Sequence, residues 1–386
     1  MDKTVAHFGN LANDAFPVAE ELQALGEDVQ LYVHMQSHVT ALPQWELLKF
    51  SVEDIGDPFH PNWERLNRDF VKPDWLHFLD LKCSALSKLK RIRKEMKKYD
   101  LIVAHVPFFI YSYLLGRNYI PFEAGAIRYF GEARISYKGL RYWLMKRSYQ
   151  HAKIVIVTNP DTLDLCDKYR LNWVFVPFAI NMQRYKPMNV DQLDGYENVV
   201  FCFSRQNWIE KGQDKLIKAF SLFLNRNKDS LLVLVEWGAD TKKSRDLIDH
   251  LKLEKYVKWV PLMSKPGLIE WINRSTVVAD QFNLGSSGTA GFEAMACGKP
   301  LMIHLSKPHF SRIYDEFPPV LNARTEDEIV DCFEMCRDRK TRDEIGRRCR
   351  QWVAKYHDSV AVAKKHLALY RRVCDGERHQ RDKTEF

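Results

Sequence analysis

The sequence predicts an α/β protein made of two doubly wound, parallel-sheet domains, and three observations carry that expectation. Short β-branched runs alternate with amphipathic helices along nearly the whole chain, the pattern of parallel sheets covered on both faces. The alternation lapses at INMQRYKPMNVDQLDGYEN, residues 180–198, where polar residues, a proline and a glycine read as a linker. At 386 residues the chain is long enough for each half to bury a core of its own. The expected organisation is a domain at 1–180, a linker at 181–198, a second domain at 199–355, and a helix and tail at 356–386 that pack back.

The elements follow in order. TVAHFG is a short strand, NDAFPVAEELQALGED a helix ending at Gly26, and VQLYVH a second strand. Residues 58–80, rich in Trp, Phe, Pro and Asp, form the least regular stretch. KLKRIRKEMKKYD at 88–100 is a basic helix with Leu89, Ile92 and Met96 at helical spacing, running into the buried strand LIVAHV. AKIVIVTNPD is a strand ending where Asn159 or Asp161 can cap the helix TLDLCDKYR, and WVFVPFA closes the first domain. Beyond the linker come strand VVFCFS, helix GQDKLIKAFSLFLNR, strand LLVLVEWG, helix KSRDLIDHLKL and strand YVKWVPLM. Helix KPGLIEWINRS, strand TVVADQF, the loop and helix NLGSSGTAGFEAMACGKP and strand PLMIHL complete the second domain. SVAVAKKHLALYRRVCD at 359–375 is the last clear helix.

Composition narrows the class. Hydrophobic residues at 46% and charged residues at 28% are those of a soluble globular protein. The run LIVAHVPFFIYSYLLG is too short to span a bilayer and is interrupted by His105 and Pro107. The start, MDKTVAHFGN, has no basic-then-apolar leader, and the eight cysteines are scattered with no zinc-knuckle spacing, so reduced thiols and a cytoplasmic location are expected. The net charge of +8 fits an anionic ligand, a membrane surface or nucleic acid and selects none of them. The basic helix at 88–98 reads as a solvated face, with peripheral contact to anionic lipid as the alternative.

The most informative stretch is NLGSSGTAGFEAMACGKP, residues 283–300. Gly285, Gly288 and Gly291 allow close approach of a ligand to the backbone, and they precede a helix whose free N–H groups favour an anion. The loop follows a strand, so it lies at the carboxyl edge of a parallel sheet, where open α/β folds bind ligands. At the matching end of the domain's first strand, in FSRQNWIEKGQDKL, stand Arg205 and Lys211. Either they form an ordinary surface pair, or the Arg fork and the Lys point charge hold a diphosphate and stabilise charge growing on it. Glu293, too far along the helix to cap it, either is solvated or takes the two hydroxyls of a ribose. The sequence has no G-x-x-x-x-G-K-[ST], no G-x-G-x-x-G, no H-E-x-x-H and no D-x-D pair, so phosphate binding without a metal is expected.

Taken in order, SRQNWIEKG, VLVEWGAD, VKWVPLM, VVADQF and GSSGTAGFEAMACGKP resemble the C-terminal domain of family-four retaining glycosyltransferases of the GT-B fold. TNPDTLDLCDKY and VFVPFAINMQRYKP resemble the end of that family's N-terminal domain and its linker, and the likeness covers roughly residues 100–355. The resemblance implies two Rossmann-like domains facing across a cleft and a nucleoside-diphosphate sugar as donor, with no cofactor and no metal. It gives Arg205 and Lys211 the diphosphate and the catalytic role, and Glu293 the ribose. Gly285, Ser286, Ser287, Gly288 and Thr289 would lay their amides on the phosphates and sugar, and the base would stack near Val260 and Leu262. The acceptor would arrive near Asn10, Asn13, His105 and Glu123. The chain departs from the family where Gly285 replaces an acid that touches donor-sugar hydroxyls, for which Asp280 is a substitute, and where Ala124 replaces a histidine, for which His105 is a substitute.

The leading expectation is a retaining transferase acting on a glycan or lipid-linked glycan precursor. The alternatives are transfer to a nucleic-acid base, a nucleotide-sugar or glycan-binding protein without turnover, and, more remotely, a pyridoxal-phosphate phosphorylase, for which no cofactor lysine stands out.

Overall fold

The computed structural model describes residues 3–130, 139–191 and 193–376, so the last residues of the expected tail, 377–386, lie outside the described residues. The chain forms two compact units, one of residues 1–46, 57–179 and 359–386, the other of residues 47–56 and 180–358.

The first unit holds seven strands: β1 (Val5–Phe8), β2 (Val29–His34), β3 (Leu76–Leu79), β4 (Leu101–Ala104), β5 (Tyr119–Glu123), β6 (Val155–Val157) and β7 (Trp173–Phe175). They pair in parallel in the order β3-β2-β1-β4-β5-β6-β7. β1, β4 and β5 are buried throughout, as expected of strands covered on both faces. β3 emerges from the stretch that the sequence leaves irregular, and β5, with Pro121 inside it, is a strand that the alternation does not announce.

The helix Ser359–Cys374 returns to this unit and joins its core, where Val362, Ala363, Leu367 and Tyr370 lie among Val5, Leu22, Leu101 and Phe122. Ser359 donates to Glu21 at 2.6 Å and Arg371 to Glu27 at 2.7 Å. On the helix Ala85–Met96, Ile92 and Met96 are buried while Lys90, Arg91, Arg93 and Lys94 are exposed, so the charges form an outward face. The expected cap at Asn159 or Asp161 does not form: the helix Leu163–Lys168 has no side-chain cap. Asp161 instead accepts two bonds from Arg128, at 2.6 and 2.7 Å, and this bidentate pair outweighs a single cap bond.

The second unit holds β8 (Asn198–Cys202), β9 (Ser230–Glu236), β10 (Val257–Pro261), β11 (Val277–Ala279), β12 (Leu301–Ile303) and β13 (Leu321–Asn322), parallel and ordered β10-β9-β8-β11-β12-β13. The order reverses between β8 and β11, so this switch point lies at the ends of these two strands. Phe220, Phe223, Leu234, Phe282 and Phe333 fill the core on one side of the sheet. Residues 47–56 belong to this unit through a short antiparallel pairing: Val52 donates to the Leu262 carbonyl at 2.8 Å and Ser264 to that of Phe50 at 2.9 Å. No disulfide joins any of the eight cysteines.

Candidate functional site

The residues singled out in the second half of the sequence gather at the carboxyl ends of β8 and β11. β8 ends at Cys202, and the chain then turns through Ser204, Arg205 and Gln206. Gln206 is fully buried and exchanges backbone bonds with Trp237 and Asp240, 2.8 and 3.0 Å long. Gly238 passes so close that a Cβ would lie 2.5 Å from the Gln206 backbone, which fixes the loop after β8 against the loop after β9. Gln213 donates to Ser204 Oγ and to the Arg205 carbonyl, at 2.9 and 2.8 Å, so the helix Gln213–Phe223 braces the same turn. Arg205 pairs with Glu210 and remains nearly half exposed (43%), its fork held at the sheet edge by a buried acid.

Lys211 reaches across to the end of β11, where its ammonium bonds the Gln281 side chain, and Gln281 in turn donates to the Ser286 carbonyl. The Lys211 carbonyl accepts from Phe282 N–H at 2.7 Å. Lys211 is thereby wired into the glycine loop through a residue 70 positions along the chain. Asp280, beside Gln281, is buried. Burial pushes its carboxyl up, while Lys211 and the Ser204 hydroxyl oppose that rise.

The loop that follows carries two glycines with a structural need. Gly285 has φ +72°, and its carbonyl accepts from Ser306 at 2.9 Å, pinning the loop to the end of β12. A Cβ on Gly291 would overlap Ser287 Oγ and approach Leu301 Cδ2 to 3.1 Å, so glycine lets the helix Thr289–Ala296 lie tight on the sheet. Gly288 precedes that helix, no side chain caps it, and no acid stands in its first turn. Its N-terminal N–H groups and dipole therefore favour an anion there. Ser286 and Ser287 are buried beside it, and Ser286 Oγ has no hydrogen-bond partner among the described residues.

Glu293 lies one turn into this helix and is 5% exposed, which sets aside the solvated acid. It forms an ion pair with Lys265, itself 7% exposed, at the start of the helix Lys265–Arg274. The sequence reading missed Lys265 because a lysine in the first turn of a helix is ordinarily solvated. Val260 and Leu262 are buried at and just beyond the end of β10, where the segment Phe50–Val52 pairs with Leu262–Ser264. That segment, more than two hundred residues away in sequence, was also invisible beforehand.

The four candidates from the first half are placed in the first unit, all buried. Asn10 accepts from Ala15 and Phe16 N–H, both at 3.0 Å, and donates to Asn13 and to the Ala41 carbonyl at 2.5 and 2.9 Å. Asn13 donates to Glu46 at 3.2 Å. Glu123 accepts from Gly125 and Ile127 N–H at 2.5 and 3.2 Å and from the Tyr149 hydroxyl, which braces the turn after β5. Burial raises its carboxyl. His105 stacks on Phe122 with 4.4 Å between ring centroids, and burial beside His7 drives it down to about 3. Among the described residues no group of three or more His, Cys, Asp or Glu side chains is placed to hold a metal ion.

This geometry can be set beside known proteins. The family of glycosyl transferases group 1 matches residues 189–314, the segment that carries the loop after β8, the glycine loop and the helix with Glu293. The whole chain superposes on GT-B glycosyltransferase structures, and it has that fold. Sucrose-phosphate synthase from Thermosynechococcus elongatus aligns with a TM-score of 0.70 and 16% identity over 97% of this chain and all of that one (100%). Anabaena HepE in complex with UDP and glucose aligns at 0.71 and 15%, over 96% of this chain and 99% of that one. A glycosyltransferase from Rickettsia africae aligns at 0.68 and 14%, over 97% and 99%. The sequence matches no curated protein. Residues 189–314 thus resemble the group 1 glycosyl transferases, within a chain that has the GT-B fold.

Proposed function

We propose that the protein transfers a sugar from a nucleoside-diphosphate donor to a hydroxyl acceptor with retention, on a glycan or lipid-linked glycan precursor. The observation that carries this reading is the uncapped N-terminus of the helix Thr289–Ala296 in the same unit as Arg205, Lys211 and the buried Lys265–Glu293 pair. The diphosphate would lie on the amides of Gly288 and Thr289, with Arg205 and Lys211 against its oxygens. Glu293, held by Lys265, would accept from the ribose hydroxyls. Val260 and Leu262 would stand near the base.

In the transfer, the bond between the sugar's anomeric carbon and the β-phosphate oxygen breaks and a bond to the acceptor oxygen forms on the same face. The acceptor's proton passes to the departing phosphate, whose growing charge Arg205 and Lys211 stabilise. This route needs no side-chain base. That accords with the engagement of Asn10, Asn13 and Glu123 by protein partners and with the burial of His105. A nucleotide-sugar-binding protein without turnover is the second reading, favoured by Gly285 standing where the resemblance expects an acid.

Nucleoside-diphosphate release from a panel of donor sugars, assayed with and without glycan acceptors, tests the proposal. Release that is lost in Arg205→Ala and Lys211→Ala supports transfer. Donor binding without release from any donor, by a folded protein, supports the second reading.

A further inference from the structure

Behind the glycine loop stands a side chain that the functional reading has not used. His304 follows β12, its N–H donating to the Gln281 carbonyl at 2.8 Å, so the same residue that Lys211 holds also anchors His304. Its imidazole is half-buried, and neither ring nitrogen makes a hydrogen bond to a described residue or is sealed from solvent. A half-buried ring whose polar edge reaches solvent and meets no side chain is open to a ligand's hydrogen bond.

The space in front of that edge is defined by Gly285. A Cβ built there would lie 3.6 Å from His304 Nε2 and 3.3 Å from Ser306 Cβ, so any side chain at this position would cover the imidazole. The backbone at φ +72° also disfavours every residue but glycine. Gly285 therefore keeps Nε2 uncovered. Three residues further on, the loop reaches the uncapped helix N-terminus where the proposed function puts the phosphates. Three residues of chain span at most about 10 Å, so a group bonded to that diphosphate is within reach of His304.

We propose that His304 reads a hydroxyl of the donor's sugar through the gap that Gly285 leaves, and so sets sugar specificity. The inference rests on the donor-site reading above. The charged neighbours suit it. Burial, Arg324 and Lys215 hold the imidazole below its ordinary value, against the opposing pull of Glu328, which favours the neutral ring. A neutral imidazole donates at one nitrogen and accepts at the other, which matches a hydroxyl's capacity to do both. A carboxylate at residue 285 could only accept, so the pocket here selects differently from one read by an acid.

The test is calorimetric titration of wild type, His304→Ala, His304→Gln and Gly285→Ala with four matched pairs: UDP and UDP-glucose, GDP and GDP-mannose, ADP and ADP-glucose, TDP and TDP-glucose. For the pair that binds best, His304→Ala should weaken the sugar conjugate roughly five- to tenfold, the range of one hydrogen bond, and leave the free diphosphate within about twofold. His304→Gln, which keeps a donor and an acceptor, should recover most of that loss, and Gly285→Ala should imitate His304→Ala. Equal weakening of diphosphate and conjugate in His304→Ala, or no weakening of either, overturns the inference while the donor site stands. If no diphosphate binds the wild type, the donor-site reading fails and this inference falls with it.

Discussion

Replacing Lys265 with methionine removes the ammonium from the Glu293 carboxylate and keeps most of the stem. Both side chains are nearly inaccessible, at 9% and 6%, so solvent can replace little of what is lost. Truncating one partner of a buried ion pair costs about 3–5 kcal/mol, because the remaining charge keeps its desolvation penalty. For a domain of this size each kcal/mol lowers the midpoint by roughly 2–4 °C, so Lys265→Met should melt about 10 °C below wild type. The assay is calorimetric unfolding at pH 7 of wild type, Lys265→Met and the double variant Lys265→Met/Glu293→Gln. The double variant removes both charges and should recover more than half of the loss. A single variant that melts within about 2 °C of wild type would refute the reasoning, as would a double variant no more stable than Lys265→Met.

Other consequences are equally checkable. His7 and His105 are both driven down to about 3 by burial, and His366 is lowered in the same cluster. Their folded values lie below the ordinary histidine value, so the stability they permit is present above about pH 6.5 and is lost as pH falls toward 3, by about 1.4 kcal/mol per unit for each ring. Urea unfolding at pH 7 and 5 should show this slope, and His105→Phe should flatten it. A Cβ on Gly346 would overlap the Gly298 carbonyl oxygen, a backbone atom with little room to yield, so Gly346→Ala should cost about 1–3 kcal/mol in urea unfolding. Lys211→Met removes the proposed diphosphate contact and the ammonium that holds the Gln281 side chain, so nucleotide affinity should fall at least tenfold by titration, since one charge-assisted bond is worth about 1.5–3 kcal/mol.

The fold was legible in the alternation of β-branched runs and helices, because buried strands such as β8 and β9 carry unbroken apolar runs, Val199–Cys202 and Leu231–Val235. Three strands were not. β3 is four residues long and half exposed at the sheet edge, β13 is two residues long, and β5 contains a proline, a residue that argues against a strand reading. The glycine loop was legible because closely spaced glycines before a helix have a local physical meaning. Lys265, Gln281 and the Phe50–Val52 segment were not, because their roles come from contacts 28, 70 and 214 residues apart. The first-half candidates rested on the family resemblance and not on any local geometry. Asn10, for one, is a polar side chain whose bonds tie the chain to the start of the helix Ala15–Ala24.

The central claim is that the carboxyl edge of β8 and β11 holds a nucleoside diphosphate. Isothermal titration of UDP, GDP, ADP and TDP into wild type and Arg205→Ala tests it most directly, since Arg205 is exposed enough to be removed without emptying the core. The account predicts saturable binding of at least one diphosphate, weakened about tenfold or more in the variant. Absence of binding by all four to folded wild-type protein, or binding that Arg205→Ala leaves unchanged, would contradict it.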